Sequence, residues 1–240
     1  MFEIIKVKNY DEMSDRAFEL IKEIVTTKPD CVLGLATGST PLGLYKLMVE
    51  DHEQNGTSYR GVTTVNLDEY VGLPEGHPES YRYYMEQNVF SKIDIPAENT
   101  YLPEDGEDPT EQCEKYETIL DRLGVDLQVL GIGSNGHIGF NEPGTSFDSQ
   151  TRVVDLDEST RRDNSRFFNS IDEVPKQALT MGIASILKAK KIVLLASGAN
   201  KADAIAAMVN GPQTPDVPAS ALQSHPNVIV IVDEAAAQSL

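Results

Sequence analysis

The run Gly131-Ile132-Gly133-Ser134-Asn135-Gly136-His137-Ile138-Gly139-Phe140-Asn141-Glu142-Pro143-Gly144 combines five glycines with one histidine and one glutamate. His137 and Glu142, five residues apart around a turn, could work as an acid/base pair. An apolar run over residues 127–130 leads into it, so a buried strand ends and its loop presents polar groups, which is how an open α/β sheet builds a site. Glycines let such a loop take positive φ and approach a ligand closely. The plain alternative is a tight turn whose histidine caps a neighbouring group and whose glutamate is solvated.

Three other stretches carry comparable chemistry. Thr37-Gly38-Ser39-Thr40-Pro41 follows the apolar run 31–36 and precedes a helical stretch over 42–54, with Pro41 suited to the first helical position and Thr40 to the N-cap. The free amides and hydroxyls of such a terminus suit a phosphate, though an ordinary capped junction reads the same way. Asp68-Glu69-Tyr70 ends a strand over 61–67, where Asp68 could be a general base or only a turn residue. The cationic run 159–166 reads as an anion clamp or as a solvated helix face. Lys201 lies in the first turn of an Ala-rich helix running to about residue 210, against the helix dipole, a place a structural lysine tends to avoid and one that adds weight to a phosphate partner. His77 reads as a loop residue, and Tyr81, Tyr83 and Tyr84 as packing groups of a helix over 80–89.

Positioning these groups takes alternating strands and helices. Strands are expected over 2–8, 31–36, 61–67, 127–130, 151–156, 191–197 and 228–232, and helices with apolar 3/4 spacing over 11–27 and 110–123. Residues 103–109 read as an acidic surface loop and 219–223 as a short helix. The expected fold is α/β: one Rossmann-like three-layer domain over residues 1–240 with a mainly parallel sheet. A chain of 240 residues, 40 % hydrophobic, can bury a sizeable core. A net charge of −18 argues against a nucleic-acid backbone or an anionic membrane as partner. Cys31 and Cys113 give no disulfide framework, and with no basic leader or long apolar run the protein is expected to be soluble, unprocessed and cytoplasmic.

Taken together, 37–41, Asn66-Leu67-Asp68-Glu69-Tyr70-Val71-Gly72-Leu73, the histidine loop, Asn164-Ser165-Arg166-Phe167-Phe168 and 174–180 resemble the glucosamine-6-phosphate deaminases over nearly the whole chain. The resemblance implies conversion of glucosamine 6-phosphate and water to fructose 6-phosphate and ammonia, without metal or organic cofactor. It implies that His137 opens the sugar ring, oriented by Glu142 and its neighbours, and that Asp68 moves the C2 proton to C1. Thr37, Gly38, Ser39, Thr40, Arg161 and Lys201 match the family's phosphate binders.

Two departures stand out. Asn135 occupies a position where the family often has Asp, so it can still fix the imidazole tautomer but adds no negative charge. Arg152 matches one member of the basic pair used by hexameric relatives in allosteric control, whereas Val154 replaces the other and the chain ends early, so a monomer without allosteric activation is expected. A lid over residues 152–180 is expected. The rival readings are a 6-phosphogluconolactonase, which has no need of a C2-proton base, and a catalytically silent sugar-phosphate sensor.

Overall fold

The computed structural model describes residues 2–104, 106, 108–156, 158, 161–162, 165, 168 and 170–240. Most of the 159–166 cationic run, most of the 164–168 motif and two residues of the 103–109 loop lie outside the described residues, as does part of the expected lid.

The described residues include ten strands: β1 (Glu3–Val7), β2 (Val32–Leu35), β3 (Thr63–Asn66), β4 (Asp68–Tyr70), β5 (Thr100–Tyr101), β6 (Leu127–Leu130), β7 (Arg152–Asp155), β8 (Gln177–Thr180), β9 (Ile192–Ala196) and β10 (Val228–Asp233). The α-helices are α1 (Tyr10–Thr27), α2 (Leu42–Asn55), α3 (Tyr81–Asn88), α4 (Pro109–Leu123), α5 (Ile183–Leu187) and α6 (Ala202–Asn210). Seven strands form one sheet in the order β1-β10-β9-β6-β2-β3-β5, and every neighbouring pair in it is parallel. The central strands β2, β6, β9 and β10 are buried along their length, as their near-continuous apolar sequences require of strands covered on both faces. On one face Val32, Val65, Leu130 and Leu194 pack with Tyr116 and Leu120 of α4 and Ile205 of α6. On the other, Leu33, Leu35, Val129 and Val193 pack with Met13 and Ile21 of α1 and Leu44 of α2.

From β2 the chain steps outward through β3 to β5, then returns to the other side of β2 at β6 and continues to β9 and β10. The order therefore reverses between β2 and β6, and a crevice opens beyond their carboxyl ends.

A second, three-stranded antiparallel sheet, β4-β8-β7, differs from expectation. The strand expected over 61–67 ends at Asn66, and Asp68 begins a strand of the second sheet instead. Leu67 joins the two: its N–H donates to Leu35 O at 3.2 Å in the main sheet and its carbonyl accepts from Met181 N at 2.7 Å. A second difference concerns α2, which starts at Leu42 with Pro41 as its flanking residue and no side-chain cap from Thr40. The Gly43 N–H of its first turn donates instead to the Tyr10 hydroxyl, at 2.8 Å, so a tyrosine from α1 does the work expected of the threonine.

Candidate active site

The loops after β3, β2, β6 and β9 meet in one cleft of about 800 Å³ at the crevice, lined among others by Thr37, Gly38, Ser39, Thr40, Asp68, His137 and Lys201. Asp68 and His137 thus share a cavity with the whole 37–40 loop, although they come from separate parts of the chain.

The 37–40 loop is held from outside the cleft by tyrosines. Tyr84 OH donates to Gly38 O at 2.6 Å and Tyr10 OH to Ser39 O at 3.0 Å. Tyr45 OH donates to Ala36 O at 2.5 Å, just before the loop. A trans peptide points C=O and N–H in opposite directions, so the Ser39 and Thr40 amides are turned away from the hydroxyls of Tyr84 and Tyr10.

The histidine loop is fixed by its own side chains. His137 Nδ1 lies 2.8 Å from Asn135 Oδ1 and 3.4 Å from Glu142 Oε2, and Asn135 Nδ2 donates to the same Glu142 oxygen at 2.8 Å. With the Asn135 amide nitrogen committed to Glu142, its oxygen can only accept, so the neutral imidazole carries its proton on Nδ1 and has its lone pair on Nε2. Asn135 Oδ1 also accepts the His137 backbone N–H at 3.1 Å, closing the turn. Glycine is needed at 133 because a Cβ there would lie 2.2 to 2.6 Å from the imidazole ring. Gly139 has φ of 56°, and a Cβ on it would come within 3.4 Å of Asp68 Oδ2 and 3.2 Å of Thr180 Oγ1. The loop backbone therefore passes directly over the aspartate.

Asp68 pairs with Thr180 across β4 and β8, and Thr180 pairs in turn with Arg152 on β7. This one rung also holds the histidine loop: Phe140 N donates to Thr180 Oγ1 at 3.1 Å and Arg152 Nη1 donates to Asn141 Oδ1 at 2.9 Å. Asn141, fully buried, spends its amide nitrogen on Ile138 O and Met181 O, both at 2.9 Å. Burial, with the Glu69 carboxylate adding to it, pushes the Asp68 carboxyl up to about 8.

Lys201 follows β9 in the 3₁₀ turn Ala199–Lys201, just before α6. The loop start is anchored by Asp233 of β10, which accepts from Ser197 Oγ at 2.5 Å and from Gly198 N at 3.1 Å. Arg161 is not among the residues lining the cleft. Its Nη2 donates to the carbonyls of Ile171 and Val174, at 2.8 and 3.1 Å. Arg162 is the described arginine on the cleft wall, with Nη2 2.7 Å from Glu158 Oε1. Tyr81, Ser197 and Asn200, none of them expected as site residues, also line the cleft. Tyr81, expected as a packing group, does pack, stacking on Phe140 with ring centroids 6.2 Å apart. Among the described residues no cluster of His, Cys, Asp and Glu could hold a metal ion, and no helix is long and apolar enough to cross a membrane.

The family model described as glucosamine-6-phosphate isomerases/6-phosphogluconolactonase matches residues 7–231. A glucosamine-6-phosphate deaminase of Geobacillus sp. (strain WCH70) is 59 % identical over 233 residues, covering 96 % of this chain and 93 % of the relative. One of Thermoanaerobacter pseudethanolicus is 52 % identical over 236 residues, 98 % and 93 % of the two chains. A solved structure described as a monomeric glucosamine-6-phosphate deaminase superposes with a TM-score of 0.97 at 46 % identity, covering 100 % of both chains. The 6-phosphogluconolactonase of Trypanosoma brucei shares the fold, with a TM-score of 0.81 at 19 % identity over 100 % of this chain and 99 % of that one.

Proposed function

The chain belongs to the glucosamine-6-phosphate isomerase/6-phosphogluconolactonase family, and from that membership we infer that it deaminates and isomerises glucosamine 6-phosphate to fructose 6-phosphate and ammonia. The deaminase names of its relatives at 59 % and 52 % identity support this over the lactonase branch, whose likeness at 19 % identity concerns the fold. The observation that carries the mechanism is the sharing of one cleft by a buried carboxylate, Asp68, and an imidazole, His137.

The phosphate is received by the amides and hydroxyls of 37–40 and by Lys201, whose cation offsets the protein's general negative field. That remote binding energy fixes C1 and C2 of the sugar. His137, with Nε2 free to accept or deliver a proton, exchanges the C1 hydroxyl proton for one at the ring oxygen and opens the ring. In the open aldehyde the carbonyl and the C2 ammonium acidify the C2 hydrogen. The same ammonium, beside Asp68, favours the ionised carboxylate that burial otherwise disfavours. Asp68 takes the C2 proton while the C1 carbonyl oxygen is protonated to give an enol. Asp68 then returns its proton to C1 as the C2 ammonium gives one up, leaving a hydroxyl on C1 and nitrogen doubly bonded to C2. Water adds at C2, and ammonia departs to leave the ketose. Asn135 and Glu142 orient the imidazole throughout. The protein acts as a monomer on this reading, supported by the monomeric relative at 46 % identity.

A coupled assay for ammonia and fructose 6-phosphate tests it. Equimolar release of both is expected, whereas hydrolysis of 6-phosphogluconolactone without ammonia from the amino sugar would overturn the reading.

A further inference from the structure

We propose that Glu69 is a positioning residue for this reaction: its buried carboxylate ties the strand of Asp68 to the first turn of α3 and sets a second negative charge beside Asp68. The proposal rests on the reading of Asp68 as the base.

Neighbouring residues of a strand point to opposite faces, so while Asp68 faces the histidine loop, Glu69 faces α3. There Glu69 Oε1 accepts the N–H of Tyr70 and of Tyr81, each at 2.9 Å, and Oε2 accepts that of Arg82 at 2.8 Å. Tyr83 N donates to Ser80 Oγ at 3.1 Å. The first two amides of α3, which have no partner within the helix, therefore end on a side chain from a strand. A carboxylate only 8 % exposed would be costly without such partners. This staple has a consequence for the cleft: Tyr81, the first residue of α3, lines it and stacks on Phe140, so the distance from β4 to α3 sets the position of the wall facing Asp68.

The charge matters as well. Around Asp68 stand Glu69 and Tyr70 from its own strand, Tyr81 from α3 and Tyr116 from α4, while His137, Arg162 and Lys201 share its cleft, Arg152 lies on the same rung beyond Thr180 and Arg82 faces Glu69. Burial keeps Tyr81 and Tyr116 protonated far above neutral pH. Of these groups only Glu69 adds negative charge: burial pushes its carboxyl up, its backbone N–H donors oppose that, and once it ionises a like charge makes Asp68 hold its proton more tightly. A residue that merely capped α3 would stabilise the fold without touching the ionisation of Asp68.

Charge and reach are separable by substitution. The test is kcat/KM for ammonia release against pH for the wild type, Glu69→Gln and Glu69→Asp, with thermal unfolding of each. Glu69→Gln should move the acidic limb down by about one pH unit. Glu69→Asp, which keeps the charge and loses the reach, should leave that limb in place and raise KM several-fold. An unmoved limb in a folded Glu69→Gln protein overturns the proposal. If that variant does not fold, carbon-13 NMR of aspartate-labelled wild type decides: the Asp68 carboxyl signal, assigned by its loss in Asp68→Asn, should titrate with a second inflection from Glu69, and a single step overturns it. A wild type that releases no ammonia would instead sink the deaminase reading, leaving the NMR titration to judge the coupling alone.

Discussion

Asn135 is clamped to Glu142 by an amide donor at 2.8 Å, and through that clamp its oxygen is presented to His137 Nδ1, also at 2.8 Å. The neutral amide thus fixes the tautomer without favouring the imidazolium. Asn135→Asp keeps an acceptor for the Nδ1 proton but sets a carboxylate oxygen against Glu142 in place of the amide donor. It should keep activity and move the ring-opening limb of the pH–rate profile upward, because the added anion beside the ring favours its protonated form. A superimposable profile in the two proteins would refute this role.

Asp68 makes a double prediction. Asp68→Asn should lower kcat by about 10³-fold, the usual scale for a lost general base, while glucosamine 6-phosphate still binds. Stability should move the other way. The folded carboxyl sits near 8, above its value of 3.8 in an exposed chain, so between those values the native state holds a proton the unfolded chain has released, and stability falls as pH rises. The asparagine variant should therefore be more stable than the wild type by on the order of 1–3 kcal/mol at pH 7, and the gain should shrink toward pH 4. Urea titrations at several pH values measure it, and a gain that grows on acidification would be the wrong sign.

Gly133 leaves the space occupied by the imidazole ring. Gly133→Ala should push His137 off its Asn135 contact and lower kcat about 10- to 100-fold, with a smaller effect on the binding of a phosphate-bearing inhibitor. Equal losses in kcat and inhibitor affinity would point to a general collapse of the loop.

Much of this was legible in the chain. The parallel core announced itself in continuous apolar runs such as 31–36 and 191–197, and the cleft in the polar stretches that follow them. The second sheet was not, because residues 68–70 pair with 178–180 across more than a hundred residues without any hairpin turn to signal it. Nor could periodicity assign Tyr10 to the first turn of α2, or turn Arg161 inward and Arg162 toward the cleft, since these are contacts between distant segments or rotations within one. The burial that makes Asp68 basic is likewise a tertiary property of an otherwise ordinary aspartate.

Arg152 is committed inward, to Asn141 Oδ1 at 2.9 Å and Thr145 Oγ1 at 3.4 Å. Arg152→Ala should release Asn141 and lower kcat about 10-fold. In the wild type, N-acetylglucosamine 6-phosphate should leave the substrate saturation curve hyperbolic and its midpoint unchanged. Sigmoidal curves straightened by that compound would contradict the expected lack of allosteric control.

Lys201 and the 37–40 loop line the same cavity. Lys201→Ala should raise KM about 10-fold or more with little change in kcat, since a phosphate handle binds ground and transition states alike. A loss confined to kcat would remove it from the phosphate site.

Leu67 is a single residue with one sheet on its amide side and another on its carbonyl side. Side chains alternate along a strand, so gaining or losing one residue at this junction would turn the aspartate's carboxylate to the opposite face and bury it against α3. The length of this connection is thus a constraint on any descendant of the sequence. Insertions that the outer loops would absorb without notice would here cost the whole activity.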